Sequence, residues 1–376
     1  MKKSGKIIAA SLAAGMLVTL TGCGGCNGCG GTPVIDMVTR SNWYTGTSYN
    51  GIQPTFIKGH DNFKEEKIIY DVVYDATYAK NANYSLEYKG GQFITEFYAT
   101  EFDWNATDIP KGYAGENPTK EIVYVFKTEL TISVQYTMKV GNQATSKWFE
   151  DKVTSISCFR AAGKRLQPVY STQTIKSTTP NMYQPAKLED AYKEVNLTYE
   201  NFYSFNCDKV LSYVTENDGT IGKEHDLTKI QGVLFDNSSL YIAVRSMKLS
   251  PTFSQAITLF NAAAGAADSY AVMGTDTALT DTERKNITAK LEEAKLYKPT
   301  AKEGEEDKGV QSTAVNIAYN GGDLHGSAQT VWYASVTDRD NNIPRATMLK
   351  ISTPLPYSLG TLIYTLSDVK STLFNA

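Results

Sequence analysis

Residues that could carry out chemistry are few and scattered. The chain has 376 residues and only 3 histidines, His60, His225 and His325, which offer little material for a metal site or for histidine-based catalysis. No G-x-S-x-G elbow, H-E-x-x-H helix or glycine-rich phosphate loop occurs. The acidic segments around His225 and His325 are predicted to be polar loops. The sequence therefore favours a protein that is not an enzyme and predicts no cofactor and no metal.

One segment imitates part of a calcium loop. Asp338, Asp340 and Asn342 have the spacing of the first three ligands, but Ile343 stands where the sharp turn needs glycine. Leu349 stands where a bidentate glutamate would complete the site. We predict a hairpin turn here. Paired carboxylates for glycoside hydrolysis are no more specific, because 40 acidic residues make some pair inevitable.

Aromatic side chains are the remaining candidates for a ligand site. The chain has 24 Tyr, 14 Phe and 4 Trp. Such rings stack on sugars or lie against acyl chains, although at strand positions they more often pack in a core or in cross-strand pairs. We take four of them as candidate ligand-binding residues: Trp104, Trp148, Trp332 and Tyr333.

The N-terminus has the pattern of an export signal. Three lysines precede residues 7–20, an uncharged stretch too short to cross a bilayer but typical of a signal-peptide core. It ends in Leu20-Thr21-Gly22-Cys23, which resembles the bacterial lipoprotein signal. The resemblance implies diacylglyceryl transfer to Cys23, removal of residues 1–22 and anchoring by acyl chains. We expect a cell-envelope protein, lipid-anchored on the outer side of the cytoplasmic membrane, or in the outer membrane of a Gram-negative cell.

The charge balance leaves the anchor as the main attachment to a membrane. Removal of residues 1–22 takes away three lysines and no acids, which leaves 34 basic and 40 acidic residues and a net charge of -6. This balance gives no electrostatic footprint for nucleic acid. The expected partners are the membrane, through Cys23, and a lipid or glycan ligand.

The remaining cysteines suggest a tether and permit one disulfide. Residues 23–33 are rich in glycine and cysteine and are predicted to form a flexible tether. Cys26 and Cys29 have C-x2-C spacing, which supplies at most half of a tetrahedral zinc site. An extracytoplasmic compartment permits a disulfide between Cys158 and Cys207.

The chain after the tether is patterned as strands. From Leu130 to Val140 apolar and polar residues alternate, as expected of a half-buried antiparallel strand. The segments 84–88 and 92–104 are predicted to form a hairpin joined at 89–91, and Asn217-Asp218-Gly219 a hairpin turn. Further strands are predicted at 68–79, 153–160, 169–176, 195–205, 233–235, 239–247, 314–319, 330–336, 346–352 and 361–366.

Helical signals are sparse. A helix is predicted near 281–297, capped by Thr280 or Asp281, whereas the alanines of 253–273 leave helix and strand both open. The Pro-containing segment 177–185 is the predicted boundary between β-rich domains at 34–178 and 186–376. We therefore predict a mainly β protein with few helices, built on curved antiparallel sheets in a half-barrel or a sandwich.

The C-terminal segment supports the half-barrel alternative. The segments 330–333, 343–345 and 360–366 resemble the closing strands of lipoprotein-carrier-like proteins over about the last fifty residues. Those proteins are incomplete barrels, in which helices cover the concave side of one curved sheet. The chain is long for one such domain, and the expected N-terminal helix is not evident. The resemblance implies a concave apolar face able to hold a lipid or another amphiphile.

Three functional hypotheses follow from the sequence. The first is a non-catalytic, membrane-anchored binding protein for a lipid or other amphiphile. The second is a glycan-binding or glycan-active cell-surface protein, which would show an open cleft with exposed aromatic residues and paired carboxylates. The third is a structural or assembly partner in the envelope, which would show an exposed apolar patch without a pocket.

Overall fold

A computed structural model describes residues 66–371, with gaps at 78, 80–83, 117, 141–142, 163–164, 181–191, 217–218, 231–233, 246, 248, 262–264, 300–306, 320–327, 338–343 and 356–358. The predictions for the signal peptide, the tether and Cys23 lie outside the described residues, as do those for Cys26, Cys29, His325 and the segment 338–342.

The described residues form fifteen strands and two α-helices. The strands are β1 (Glu66–Asp75), β2 (Tyr84–Asp103), β3 (Lys120–Val140), β4 (Gln143–Ala162), β5 (Arg165–Pro180), β6 (Tyr192–Tyr203), β7 (Lys209–Glu216), β8 (Gly219–Asp226), β9 (Leu234–Asp236), β10 (Ser254–Asn261), β11 (Ala266–Thr275), β12 (Thr313–Tyr319), β13 (Gln329–Thr337), β14 (Pro344–Pro354) and β15 (Thr361–Ser371). Helix α1 is Leu240–Arg245 and helix α2 is Asp281–Glu293.

All fifteen strands belong to one sheet. Its spatial order is β8-β7-β6-β5-β4-β3-β2-β1-β15-β14-β13-β12-β11-β10-β9. Neighbouring strands are antiparallel, except that β9 runs parallel to β10. The predicted division into domains at 34–178 and 186–376 is therefore wrong. Strand β5 pairs with β6 across that boundary, and β1 joins both halves by pairing with β15.

The alternating pattern that predicted strands is realised in the burial of the side chains. In β3, Leu130, Ile132 and Val134 are buried, whereas Thr131 and Ser133 between them are half-buried. Strands β3 and β4 have 21 and 20 residues and span roughly 65 Å at about 3.3 Å per residue. The predicted strands at 153–160, 169–176, 314–319, 330–336, 346–352 and 361–366 are confirmed.

The predicted hairpin at 89–91 is wrong, because β2 continues through these residues. The register of β2 against β3 shifts between Tyr88 and Gly90, and Gly90 has a φ of 122° that favours glycine. A Cβ atom at Gly91 would lie 2.4 Å from the Ile132 side chain. The two glycines therefore form an irregularity at which the strand passes close to its neighbour, rather than a turn.

The sheet is strongly curved. Strands β5 and β9 are fourth and fifteenth in the spatial order, which in a flat sheet would separate them by roughly 50 Å. Yet Ser171 on β5 donates a hydrogen bond to Asp236 on β9 at 2.6 Å between Oγ and Oδ2. A mainly β protein with a curved antiparallel sheet and few helices is thus confirmed.

The predicted strand at 239–247 is wrong. Its residues form a 3-10 turn at Asn237–Ser239 followed by helix α1, and all six residues of α1 are buried. A short run of apolar residues does not distinguish a buried strand from a buried helix. Asp236 caps the turn by accepting a hydrogen bond from the Ser238 backbone N–H at 2.8 Å.

The other ambiguous alanine-rich segment consists of strands, β10 and β11. The predicted helix near 281–297 is confirmed as α2. Thr280 and Glu283 form a capping box, in which each side chain binds the other's backbone N–H. Ile287 and Leu291 turn the buried face of α2 towards the core.

Candidate functional site

Trp104 is a core residue. It is 3% exposed and belongs to a small cluster with Val123, Val125, Cys158 and Val169. Its indole N–H donates to Glu121 Oε1 at 2.7 Å, and the rings of Phe102 and Phe205 meet it edge-on. With its faces packed and its polar atom bonded, Trp104 has no surface left for a ligand.

Trp332 and Tyr333 are core residues as well. They are 4% and 3% exposed, because the two faces of β13 are covered by different parts of the chain. The Trp332 indole N–H donates to the carbonyl oxygen of Thr277 at 2.9 Å. On the other face, the Tyr333 hydroxyl donates to the carbonyl oxygen of Tyr241 at 3.2 Å. The prediction that Trp104, Trp332 and Tyr333 form a ligand site is therefore wrong for this structure.

Trp148 is the one residue of the four that keeps solvent access. It is half-buried on β4, and the Lys89 ammonium lies 4.2 Å from the centre of its ring. The structure does not bring Trp148 into the cluster of Trp104 or the neighbourhood of Trp332. A single ring does not make the aromatic cleft that the glycan hypothesis expects.

The disulfide that the compartment would permit between Cys158 and Cys207 is not formed in this structure, because both thiols are free. Cys158 packs in the cluster around Trp104, whereas Cys207 packs against the main hydrophobic core. Burial raises the pKa of the Cys158 thiol to about 12 and that of the Cys207 thiol to about 11.

Both thiols are therefore expected to be inert in the folded protein. With Cys26 and Cys29 replaced by serine and Cys23 acylated, we expect Cys158 and Cys207 to react slowly with a thiol reagent at pH 8 and rapidly in urea. Release of the chromophore from Ellman's reagent measures this directly. One equivalent reacting at once without denaturant would contradict either the burial of Cys158 or the packing of the half-buried Cys207 against the core.

The concave side of the sheet is occupied by the chain itself. We call Asp236–Arg245, which contains the 3-10 turn and α1, the plug. The Tyr241 ring lies 6.4 Å from the Phe93 ring on β2, and the Tyr241 hydroxyl accepts from Gln329 on β13 at 2.7 Å. The plug thus contacts strands of both halves of the sheet.

A buried carboxylate fixes the first end of the plug. Asp236 is fully buried and accepts hydrogen bonds from Ser171 at 2.6 Å, Tyr203 at 2.5 Å and Asn201 at 3.3 Å, in addition to the Ser238 N–H. Desolvation raises the pKa of Asp236, although these hydrogen bonds act in the opposite direction. The arrangement ties β9 to β5 and β6.

A buried ion pair fixes the other end. Arg245 and Glu66 are bonded in a bidentate geometry, Nη1 to Oε1 at 2.6 Å and Nη2 to Oε2 at 3.0 Å. Their side chains are 6% and 2% exposed. Because Glu66 is on β1, this pair attaches the end of the plug to the middle of the sheet.

Sequence reasoning missed both anchors. Asp236 begins the stretch Asp-Asn-Ser-Ser, which is a recognisable helix N-cap signal in front of an apolar run. No comparable signal links Arg245 to Glu66, since the two residues are 179 positions apart.

A second concavity lies between α2 and residues 307–311. This groove has a volume of about 690 Å³ and is lined by charged side chains of both signs, including Asp281, Arg284, Lys285 and Lys308. Its lining contains no aromatic residue. It is therefore not the apolar face that the amphiphile hypothesis expects.

The two edges of the sheet differ sharply. At one edge, β9 has only three residues, of which Phe235 and Asp236 are buried. At the other edge, all residues of β8 except the partly buried His225 are exposed. Ile221 on β8 is 75% exposed, more than any other large hydrophobic side chain among the described residues. Within the described part of the chain, the outer side of β8 thus has a line of backbone donors and acceptors with no strand beside it.

Neither a metal cluster nor a membrane-spanning helix is found in the part of the chain that the structure describes. There, no three side chains of the types His, Cys, Asp and Glu are grouped to hold an ion. No helix in this part is both long and apolar enough to cross a membrane.

Comparisons with known proteins give a distant structural similarity and no family. No family model matches the sequence, and no curated protein matches it. A crystal structure of a β-barrel-like protein of a domain of unknown function, from Brucella abortus, superposes with a TM-score of 0.39 at 11% sequence identity. The superposition covers 82% of this chain and 97% of that chain.

Proposed function

We propose that the protein is a non-catalytic lipoprotein, anchored in the cell envelope through Cys23, which acts as an assembly partner by adding a strand of another polypeptide to β8. The observation that carries this proposal is that β8 is an edge of the sheet formed by the described residues and that all its residues except His225 are exposed. Strand addition to such an edge is a common mode of polypeptide recognition.

The anchor supports the proposed location. Leu20-Thr21-Gly22-Cys23 has the residues of a lipoprotein signal, and two or three acyl chains at Cys23 suffice for stable anchoring. The predicted tether of residues 23–33 reaches at most roughly 35 Å.

The binding mode follows from the chemistry of an edge strand. A partner strand would bond the outward N–H and C=O groups of β8, and these main-chain bonds would supply affinity for many sequences. Ile221 supplies an apolar contact and Lys223 supplies charge selectivity. The Glu224 carboxylate, on the opposite face, already accepts a hydrogen bond from the Tyr113 hydroxyl and pairs with Lys209. The buried, three-residue β9 offers no equivalent surface.

The two other hypotheses have less support from the geometry. A bound amphiphile on the concave face would have to displace the plug, which is buried and anchored at both ends. A glycan cleft would need several accessible aromatic residues, and only Trp148 of the four candidates is accessible.

Site-specific crosslinking in the native membrane tests this proposal. A photo-crosslinking amino acid placed at Thr220, Ile221 or Lys223 is expected to trap a protein in intact cells. The photo-crosslinking amino acid placed at Val73 or Met273 serves as the matched control, because these residues are 52% and 41% exposed but lie on interior strands. Equal trapping at the control positions, or none on β8, would refute strand addition. Loss of palmitate labelling on Cys23→Ala tests the anchor separately.

A further inference from the structure

We propose that the strand added to β8 is β8 of a second copy of this chain, in an antiparallel pair about a two-fold axis through Gly222. This inference rests on the proposed function and names its partner. Homodimers with two-fold symmetry are the commonest soluble oligomers, and their interface is one patch that complements itself.

Symmetry restricts the register to a few choices. When two copies of a strand pair antiparallel about a two-fold axis perpendicular to the sheet, the residue at the axis lies opposite the same residue of the second copy. The side chains of paired residues lie on the same face. An axis at Gly222 pairs residues 219–225, seven of the eight residues of β8. An axis at Ile221 would use only residues 219–223 of the strand.

Charge selects among these registers. An axis at Lys223 would place two ammonium groups opposite each other, and an axis at Glu224 would do the same with two carboxylates, both of which are unfavourable. With the axis at Gly222, Lys223 faces Ile221 of the second copy, and Glu224 faces Thr220. No like charges are then directly opposed.

The same register covers the exposed apolar residue. Each Ile221 would lie beside the aliphatic part of Lys223 of the other copy, and the two Ile221 side chains would become diagonal neighbours about 7–8 Å apart. This contact removes from water the side chain that is 75% exposed in the single chain. At the axis, two glycines face each other, and in each copy the Tyr213 ring covers Gly222, where an added Cβ atom would lie 2.7 Å from Tyr213 Cε1.

The other edge of the sheet prevents further growth. Strand β9 is short and largely buried, so each copy has one pairing edge and the assembly closes as a dimer. Two tethers at the same membrane would then hold both copies.

Sedimentation of the full chain in density-matched detergent is the first test. The wild-type protein is expected to be dimeric, and Ile221→Lys is expected to raise the dissociation constant about tenfold, because two pairs of opposed lysines would form. Val73→Lys, at an exposed residue of an interior strand, is expected to remain dimeric. A wild-type monomer at the highest concentration, or equal effects of both variants, would overturn the proposal.

Disulfide crosslinking in membranes tests the register. In a chain with Cys26 and Cys29 replaced by serine, the double variant Ile221→Cys/Lys223→Cys is expected to form a dimer that a reductant dissolves. The matched pair Thr220→Cys/Lys223→Cys, with its cysteines on opposite faces, is expected to give at most one tenth of that yield. Equal yields would contradict the axis at Gly222.

Failure of this inference is distinguishable from failure of the proposed function. A monomer by sedimentation, together with photo-crosslinks from β8 to a different protein, would reject self-pairing and keep strand addition. A monomer with no photo-crosslink from β8 would reject both.

Discussion

Replacement of Arg245 by methionine is expected to lower the free energy of unfolding by about 3–5 kcal/mol. The substitution keeps most of the side-chain volume but leaves the Glu66 carboxylate, which is 2% exposed, without its bidentate partner. A carboxylate buried in this way must remain charged at high cost or take up a proton. Urea unfolding followed by tryptophan fluorescence measures the loss.

Two further variants make this prediction specific to the buried pair. The double variant Glu66→Leu/Arg245→Met removes both charges and is expected to recover most of the loss, because buried ion pairs are often replaceable by apolar residues. Lys152→Met, which breaks the exposed 2.7 Å pair with Glu129, is expected to cost less than about 1 kcal/mol. A loss below 1 kcal/mol for Arg245→Met would show that the pair does not anchor the plug.

Much of the fold follows from local sequence patterns. The alternation in Leu130–Val140 predicted a strand because each side chain in an antiparallel strand meets only one of two environments. The helix at Asp281–Glu293 was predictable from Thr280, whose capping box is a local interaction within one turn. Both signals involve residues that are close in sequence, so they can be recognised without knowledge of the tertiary structure.

The misassignments arise where distant contacts decide. Gly90 and Gly91 look like a turn, but pairing of β2 with β3 on both sides of them maintains one strand. The apolar sequence of the plug is also compatible with a strand. Only its enclosure by the curved sheet makes a helix with buried residues on all sides favourable. The single sheet depends on β1 pairing with β15, a contact between the two ends of the described chain.

The candidate ligand residues failed for a related reason. Trp104, Trp332 and Tyr333 were chosen by residue type, and an aromatic ring on a strand is equally suited to a core. Whether a ring is accessible depends on what covers the sheet, and here the cover is the chain itself, at Phe205, Thr277 and Tyr241. The prediction of a polar loop around His225 is wrong, because Glu224–Asp226 belong to β8. Only the turn predicted at 217–219 pointed to a hairpin here, and edge position could not be predicted because it is a property of the whole sheet.

Replacement of Asp236 by alanine is expected to lower the free energy of unfolding by roughly 3–5 kcal/mol. The donors of Ser171, Tyr203 and the Ser238 N–H would be left buried without their acceptor. Asp236→Asn keeps one acceptor oxygen and is expected to cost less, while it removes a titrating group from the core. Urea unfolding at a fixed pH compares the three proteins.

The pH dependence of wild type against Asp236→Asn isolates the titration of this carboxyl. Because burial raises its folded-state pKa above the ordinary value of 3.8, the folded protein holds the proton to higher pH than the unfolded chain does. The contribution of the Asp236 carboxyl to the free energy of unfolding therefore falls as the pH rises from about 3.8 through the raised pKa. We expect the stability difference, wild type minus Asp236→Asn, to be largest at acidic pH and to decline in that window.

The exposed Asp226, whose pKa is lowered by its hydrogen bonds with Thr228, supplies the control variant Asp226→Asn, for which the stability difference is expected to change with pH in the opposite direction. A difference for Asp236→Asn that is constant from pH 3 to pH 8 would mean that the Asp236 carboxyl titrates alike in both states, and that the plug is not held by a buried acid.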